Sequence, residues 1–350
     1  MNGTTEIRRV GDRDARAAVL AGLGGYLPPR VVTNAELCET LDTSDEWIRS
    51  RIGVSCRHVA DGEATVDLAV RAGRCALSAA AAHTVDAVLL VTTSADRLCP
   101  AGAPEVASRL GLGPIAAFDI ASGCSGFVYG LAAATSLLSC RLVDSVLLIA
   151  SDVFTTMVDP SDRLSAVIFG DGAGAVVLSA GHPDQAGALA AFDLGSDGTN
   201  ADLLHVPGGG SRDRKQAGGY SGRSAPYLQM DGRRVFTLAV DGMCRSVGHV
   251  LAQVGWTVPD VDAVVAHQAN QRILTAVGAS LGLDGARVLS NIGQVGNTAA
   301  ASIPLLMAQA AAAGTLRAGQ RVVLTSFGAG LAWGSAALVW PDVRAVVEQF

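Results

Sequence analysis

The chain repeats itself, and the repeat restricts its fold more than any other feature. "VDAVLLVTTSADR" at 85–97 is echoed by "VDAVVAHQANQR" at 261–272. After the first segment come "IAAFDI" and a turn bearing Cys124; after the second come "RVLSN" and a turn bearing Asn297. A further apolar strand begins at Asp144 in one half and at Gln320 in the other. The start-to-start offset is therefore 59 residues in both (85 to 144, 261 to 320). Each half then closes on a Gly-rich turn and a strand, "FGDGAGAVVLS" and "FGAGLAWGSAALVW". A shared order and spacing of this kind indicates an internal duplication of βαβ units rather than a short-period solenoid.

The strand candidates are short runs of Val, Leu, Ile and Ala without polar alternation, the pattern of strands covered on both faces. The segments between them read as helices. "GFVYGLAAATSLLSC" is apolar on nearly every face, which suits a helix buried between layers. "QRILTAVGASLG" sets Ile273, Leu274, Val277 and Leu281 on one face, with Gly282 as a stop. "TAAASIPLLMAQAAAAG" carries Pro304, which should kink it. Residues 205–226, "HVPGGGSRDRKQAGGYSGRSAP", are the least regular stretch and read as a mobile loop between the halves. The expected architecture is two parallel-sheet layers around shared helices. An N-terminal extension (1–17) precedes a first half (18–185) and a second half (186–350), whose equivalent loops meet at a pseudo-twofold.

With 350 residues, 49% hydrophobic and 17% charged, the chain can bury a large core. A net charge of -6 and a pI near 5.5 invite neither nucleic acid nor an anionic membrane. Lys215 is the single lysine, so nearly all positive charge is arginine, a coding bias from which no function follows. The seven cysteines (38, 56, 75, 99, 124, 140, 244) include no C-x-x-C pair. An odd count without metal-ligand spacing points to reduced, cytoplasmic thiols and no metal. "AAVLAGLGGYLPP" lacks a convincing cleavage site and reads as a first buried strand rather than a signal segment. No apolar run reaches the roughly 20 residues that span a bilayer.

The chemistry centres on "DIASGCSGFVYG", which presents Cys124 at a tight turn between an apolar strand and a helical segment. A thiol at a helix start gains from the dipole and from unpaired N–H groups, so its pKa is expected to fall. Such a thiolate attacks a thioester carbonyl to give an acyl-enzyme, with backbone N–H groups holding the oxyanion. Asn297 occupies the equivalent turn of the second half, and His267 ends that half's first strand. Donated hydrogen bonds from His267 and Asn297 to a second carbonyl would favour an enolate, and so decarboxylation of a malonyl thioester. Taken singly, each residue has a structural reading: a packed cysteine, a satisfied histidine, an asparagine suited to a turn. Together, at corresponding places in a duplicated frame, they favour catalysis. Cys, His and Asn in this order also occur in papain-like peptidases, but the flanking "CGSCW"-type signature is missing and buried α/β repeats are the wrong setting.

These features resemble β-ketoacyl-acyl-carrier-protein synthase III of the thiolase superfamily, from about Val19 to Trp340. "GLGGYLPPRVVTNAEL" matches that family's first strand and turn, and "LDTSDEWIRSRIGVSCRH" is similar to its W-I-x-x-R-x-G-I segment. "GCSGFVYGL", "DPSDRLSAVIFGDGAGA", "MDGRRVF", "HQANQRI", "GNTAAASIP" and "SFGAGLAWGSA" extend the likeness. "HQAN" and "GNT" together with the cysteine turn are its most specific part. The resemblance implies a five-layered αβαβα thiolase-like fold built from two duplicated βαβ halves. It implies that Cys124 takes the acyl group of an acyl-CoA primer. His267 and Asn297 would then bind the thioester carbonyl of malonyl-acyl-carrier protein and drive decarboxylative condensation. The backbone N–H groups of Cys124 and Ala329 would form the oxyanion hole, and Phe236 would flank the acyl tunnel. Trp47 and Arg163 would sandwich the CoA adenine, for which indole and guanidinium faces are apt. Arg51, Gly232 and Asn270 would complete the CoA site, and Arg272, Arg233 and Arg234 would dock the carrier. CoA enters as substrate with no cofactor, and a homodimer is implied.

Some positions depart from the family pattern. Gly123 and Ser125 flank the cysteine where Ala is common, Ile52 replaces a common Thr, and Thr237, Ala279 and Ser280 stand where basic docking residues are usual. A surface for an acidic carrier is thereby weakened. Three readings follow. The leading one is an initiating condensing enzyme of fatty-acid or polyketide biosynthesis. The second is an acyltransferase of the same fold, passing an acyl group from CoA or a carrier to a hydroxyl or amine. The third is a non-catalytic partner subunit, against which the intact Cys, His and Asn argue.

Overall fold

A computed structural model describes residues 15–212 and 226–349. Most of the expected N-terminal extension and of the expected irregular loop, with Lys215, lies outside the described residues. Numbered along the chain, the first eight strands are β1 (Ala17–Tyr26), β2 (Arg30–Thr33), β3 (Cys56–Val59), β4 (Ala87–Val91), β5 (Ala116–Ile120), β6 (Ser145–Asp152), β7 (Gly172–Gly181) and β8 (Leu189–Ser196). Those that follow are β9 (Leu204–His205), β10 (Gln229–Met230), β11 (Ala263–Ala266), β12 (Val288–Leu289), β13 (Arg321–Gly328), β14 (Ala332–Val339) and β15 (Ala345–Glu348).

The apolar runs become strands covered on both sides, as their lack of alternation demands. β4 and β11 are buried along their whole length. β4 starts 58 residues before β6, and β11 starts 58 residues before β13 (87 to 145, 263 to 321), so the repeat in sequence is a repeat in structure. The segment that superficially resembles a signal sequence is β1, buried at nine of its ten positions.

Two large sheets result, ordered β15-β1-β7-β6-β4-β5 and β12-β11-β13-β14-β8. Three strands of each are parallel, β5-β4-β6 and β12-β11-β13. The next two, β7 and β1 or β14 and β8, run antiparallel. The expectation of parallel sheets therefore fails for the closing strands of each half. Only Ala329 to Leu331 join β13 to β14, and a parallel return needs a crossover of about a dozen residues or more. The chain end departs as well: β15 pairs in parallel with β1, so the stretch expected to close the second half completes the first half's sheet.

Helices supply the other three layers. Gly126–Ser139 and Ser302–Ala312 lie between the sheets. Their Phe127, Leu131, Ile303 and Leu306 share one core with Leu89 and Leu148 of one sheet and Val265 and Leu324 of the other. Thr65–Ala79 and Ala103–Arg109 cover the outer face of the first sheet, and Gly232–Val254 and Gln271–Leu281 that of the second. The layers are thus αβαβα.

Two helices correct the sequence reading. Pro304 does not kink its helix, because the α-helix begins only at Ser302 and residues 299–301 form a separate 3-10 turn. Pro304 falls in the first turn, where its missing N–H has no intrahelical acceptor to lose. Gly232–Val254, at 23 residues and a mean hydropathy of 1.2 in its best window, is long and apolar enough to cross a bilayer, contrary to the composition reading. Its Val235, Ala239, Met243, Val247 and Leu251 are buried in the core on the outer face of the second sheet.

Candidate active site

The cysteine turn is built by close approach of the two halves. Gly123 adopts a φ of 51°, which favours glycine, and a Cβ there would lie 3.1–3.3 Å from the backbone and Cβ of Ala329. Gly328, at the end of β13, is tighter still: a Cβ on it would lie 2.8 Å from both the Cβ and the N of Cys124. Glycines on both sides let the turn after β5 sit directly against the turn after β13, so the backbones of Cys124 and Ala329 come close together. Ser125, one of the departures from the family pattern, donates to the carbonyl of Ala332 at 2.8 Å and ties the two turns together.

Burial pushes Cys124 up to about 12, the carboxylate of Asp152 pushes the same way, and only its own backbone N–H pulls it down. Desolvation of this half-buried thiol at the cavity wall thus opposes the lowering expected from the helix start.

His267 arrives at the end of β11, its N–H donating to the carbonyl of Thr325 on β13 at 2.8 Å. The ring is 3% exposed, and its Nδ1 lies 2.7 Å from Ser302 Oγ. Burial lowers its pKa to about 4, with the Ala299 backbone acting in the opposite direction, so the imidazole is neutral at pH 7. Asn297 is held across the halves, its N–H donating to the Ile168 carbonyl (2.9 Å) and its carbonyl accepting from Gly170 (3.0 Å). Its Oδ1 accepts the Ala299 N–H at 2.9 Å, which settles the amide's orientation and leaves the NH2 for the cavity.

Cys124, His267 and Asn297 line one cavity of about 260 Å³, together with Thr93, Phe154, Phe169, Phe236 and Ala329. Phe154 and Phe169 stack at 4.5 Å between ring centroids. Most of the wall is apolar, so a polar headgroup would be held near the thiol and a hydrocarbon chain further in.

Residues 118–198 match the family model described as 3-oxoacyl-[acyl-carrier-protein (ACP)] synthase III, and residues 251–340 match that of its C-terminal part. The chain is 54% identical to β-ketoacyl-[acyl-carrier-protein] synthase III 5 of Streptomyces coelicolor, over 94% of this chain and 99% of that one. It is 52% identical to β-ketoacyl-[acyl-carrier-protein] synthase III of Pseudomonas aeruginosa, over 94% and 98% respectively. The chain belongs to the β-ketoacyl-[acyl-carrier-protein] synthase III family. The crystal structure of 3-oxoacyl-(acyl carrier protein) synthase III from Pseudomonas aeruginosa PAO1 superposes with a TM-score of 0.88 at 51% identity, covering 93% of this chain and 99% of that one. The priming β-ketosynthase from the R1128 polyketide biosynthetic pathway gives 0.87 at 32% identity, covering 94% and 97%. The chain is an initiating condensing enzyme of thiolase fold, which decides between the condensing and plain acyltransferase readings.

Two of the residues expected to bind CoA belong to the wall of this β-ketoacyl synthase's cavity. Gly232 and Asn270 line the cavity, and Asn270 Nδ2 donates to the Arg51 carbonyl at 3.3 Å. Arg163 stands over the Trp47 ring with its Cζ 5.7 Å from the centroid. The pair comes together as expected, but stacked on itself: a purine between them needs a gap of roughly 7 Å, two contact distances. Arg272 stacks on Phe236 at 5.9 Å. Arg233 and Arg234 are exposed at the start of Gly232–Val254, and Arg234 donates to Asn200 Oδ1 at 3.1 Å.

Sequence reasoning missed two residues behind the site. Asp152, fully buried at the end of β6, accepts through Oδ1 from the Thr93 and Ser94 N–H groups and the Thr92 and Ser94 hydroxyls. Its Oδ2 accepts from the Ala300 N–H at 3.2 Å, joining the turn that carries Asn297 to the first half. Burial raises its pKa to about 6. Ser302 is the other. A carboxylate closing "LLIASD" and a serine after three alanines were the available signals.

Proposed function

We propose that Cys124, His267 and Asn297 carry out the two half-reactions of an initiating condensation between an acyl-CoA and malonyl-acyl-carrier protein. In the first, Cys124 sulfur attacks the acyl-CoA carbonyl, the carbon–sulfur bond to CoA breaks, and the thiol's proton leaves with CoA. The N–H groups of Cys124 and Ala329 hold the tetrahedral oxyanion. In the second, the malonyl thioester loses CO₂, and its carbonyl oxygen takes the negative charge between His267 and the Asn297 NH2. The enolate carbon attacks the acyl-cysteine, giving β-ketoacyl-carrier protein and returning the thiolate for reprotonation.

The observation that carries this reading is the convergence of a buried neutral imidazole and an oriented amide beside one cysteine in an apolar cavity. A neutral ring suits hydrogen-bond donation to a developing enolate, whereas a charged one would hold the malonyl carboxylate and oppose loss of CO₂. The apolar wall supports an acyl primer, and the Trp47, Arg51, Arg163, Gly232 and Asn270 set supports CoA at the mouth. CoA is a substrate here, and the chemistry needs no resident cofactor. Arg272, Arg233 and Arg234 are the groups available to an acidic carrier. A homodimer is supported by β5, which ends its sheet with an open edge and an exposed Phe118. Unpaired cysteines throughout the described residues fit a cytoplasmic enzyme.

The test is mass spectrometry of the carrier after mixing enzyme, acetyl-CoA and malonyl-carrier protein. A carrier shifted to the acetoacetyl form is the expected result. An unshifted malonyl-carrier beside an enzyme acylated on Cys124 would overturn the assigned second half-reaction.

A further inference from the structure

Ser302 begins the helix Ser302–Ala312 and is 1% exposed. It does not line the cavity, yet its Oγ lies 2.7 Å from His267 Nδ1 and accepts the Gln268 N–H at 3.3 Å. Ser302 Oγ has no third hydrogen-bond partner among the described residues. A serine hydroxyl carries one proton and two acceptor lone pairs. One lone pair is engaged by Gln268. Were His267 Nδ1 also to donate, the hydroxyl proton would be buried with no acceptor, a costly arrangement away from water.

We infer that the Ser302 hydroxyl donates to Nδ1 of His267 and so holds the ring as its Nε2–H tautomer, which makes Ser302 a positioning residue for the condensation step. The inference rests on the proposed donor role of His267. With Nδ1 turned to Ser302, Nε2 is the nitrogen left for the cavity that His267 lines. A carbonyl oxygen becoming an enolate gains negative charge, so it is stabilised by N–H donors already in place. The opposite tautomer would present a lone pair to that oxygen. Asn297 is fixed by the same logic: the Ala299 N–H takes its Oδ1, and its NH2 is turned outward. A hydroxyl on one catalytic residue and a backbone N–H on the other thus orient both donors before substrate arrives.

The tautomer is read directly by nitrogen-15 NMR of the full-length enzyme carrying labelled histidine, with the His267 signals assigned by their loss in His267→Ala. The expected result at neutral pH is a bare Nδ1 and a protonated Nε2; a protonated Nδ1 overturns the inference. Ser302→Ala is expected to slow condensation on preformed acyl-enzyme by about 10- to 100-fold, the scale seen when a partner that orients a metal-ligating imidazole is removed. Cys124 acylation should proceed as in the wild type. Ser302→Thr keeps the hydroxyl and should recover most of the lost condensation, which loss of packing alone would not allow. Undiminished condensation in Ser302→Ala overturns the positioning role. Undiminished condensation in His267→Ala, with the wild-type tautomer as expected, overturns instead the donor role of His267 and leaves the Ser302 bond standing.

Discussion

Gly328→Ala tests whether the contact between the two turns holds the thiol in place. The added methyl would lie 2.8 Å from the Cβ and N of Cys124 and 3.2 Å from its Cα. Carbon atoms settle at about 3.5–4.0 Å, so one turn must retreat by about 1 Å. Side-chain rotation cannot relieve this, because the methyl is fixed to the backbone and the atoms it meets are backbone and Cβ. Overpacking of this kind costs about 1–3 kcal/mol, a fall of about 1–4 °C in melting temperature for a chain of this length. Activity should lose more. The retreat separates the N–H groups of Cys124 and Ala329, and loss of one oxyanion donor slows acyl transfer by about 10²–10³. Acylation of Cys124 by acetyl-CoA, followed by time-resolved mass measurement beside a thermal melt, should therefore fall about 100-fold or more. Acylation at the wild-type rate would refute the argument that this contact sets the geometry of the thiol.

Further outcomes follow from the same geometry. Asn297→Ala should abolish condensation while leaving acylation largely intact, and Cys124→Ala should eliminate the acyl-enzyme; equal loss of acylation in Asn297→Ala would break the division of labour. Asp152→Asn places an amide NH2 or a weaker acceptor against the Ala300 N–H, costing about 1–3 kcal/mol in a melt, and removes the charge that raises the thiol, so alkylation of Cys124 should speed up. Because the thiol is held at about 12, its thiolate fraction grows about tenfold per pH unit well below that value. Acylation should accordingly keep rising from about pH 7 to 9, with Asp152 already ionised over that range; an early plateau would show an acidified thiol. His267, at about 4, should keep neutral-ring NMR shifts down to about pH 5.5, whereas a midpoint near 6.5 would contradict its burial.

Much of the fold was legible because duplication writes itself into spacing. The matched 59-residue offsets return as matched 58-residue strand spacings, and runs of unbroken Val and Leu and Gly282 as a helix stop recur in the structure where the pattern puts them. Cys124 and Asn297 stood out at equivalent turns and His267 at a strand end, and the three line one cavity. The Pro304 kink failed for a local reason, a helix starting four residues later than its pattern, at Ser302.

The sequence by itself determined the duplicated order of strands and helices and singled out Cys124, His267 and Asn297 as candidates, because hydrophobic periodicity and turn chemistry act over a few residues. Only the tertiary structure decided what those residues are chemically. Desolvation of Cys124 and the nearby Asp152 oppose the shift its helix start promised, since desolvation depends on every atom brought around the sulfur. The return of β15 to β1, the Asp152 tie between the halves and the Ser302 hydroxyl behind His267 are likewise contacts between segments far apart in the chain. No local pattern encodes them, because each partner meets the other only once the layers have closed.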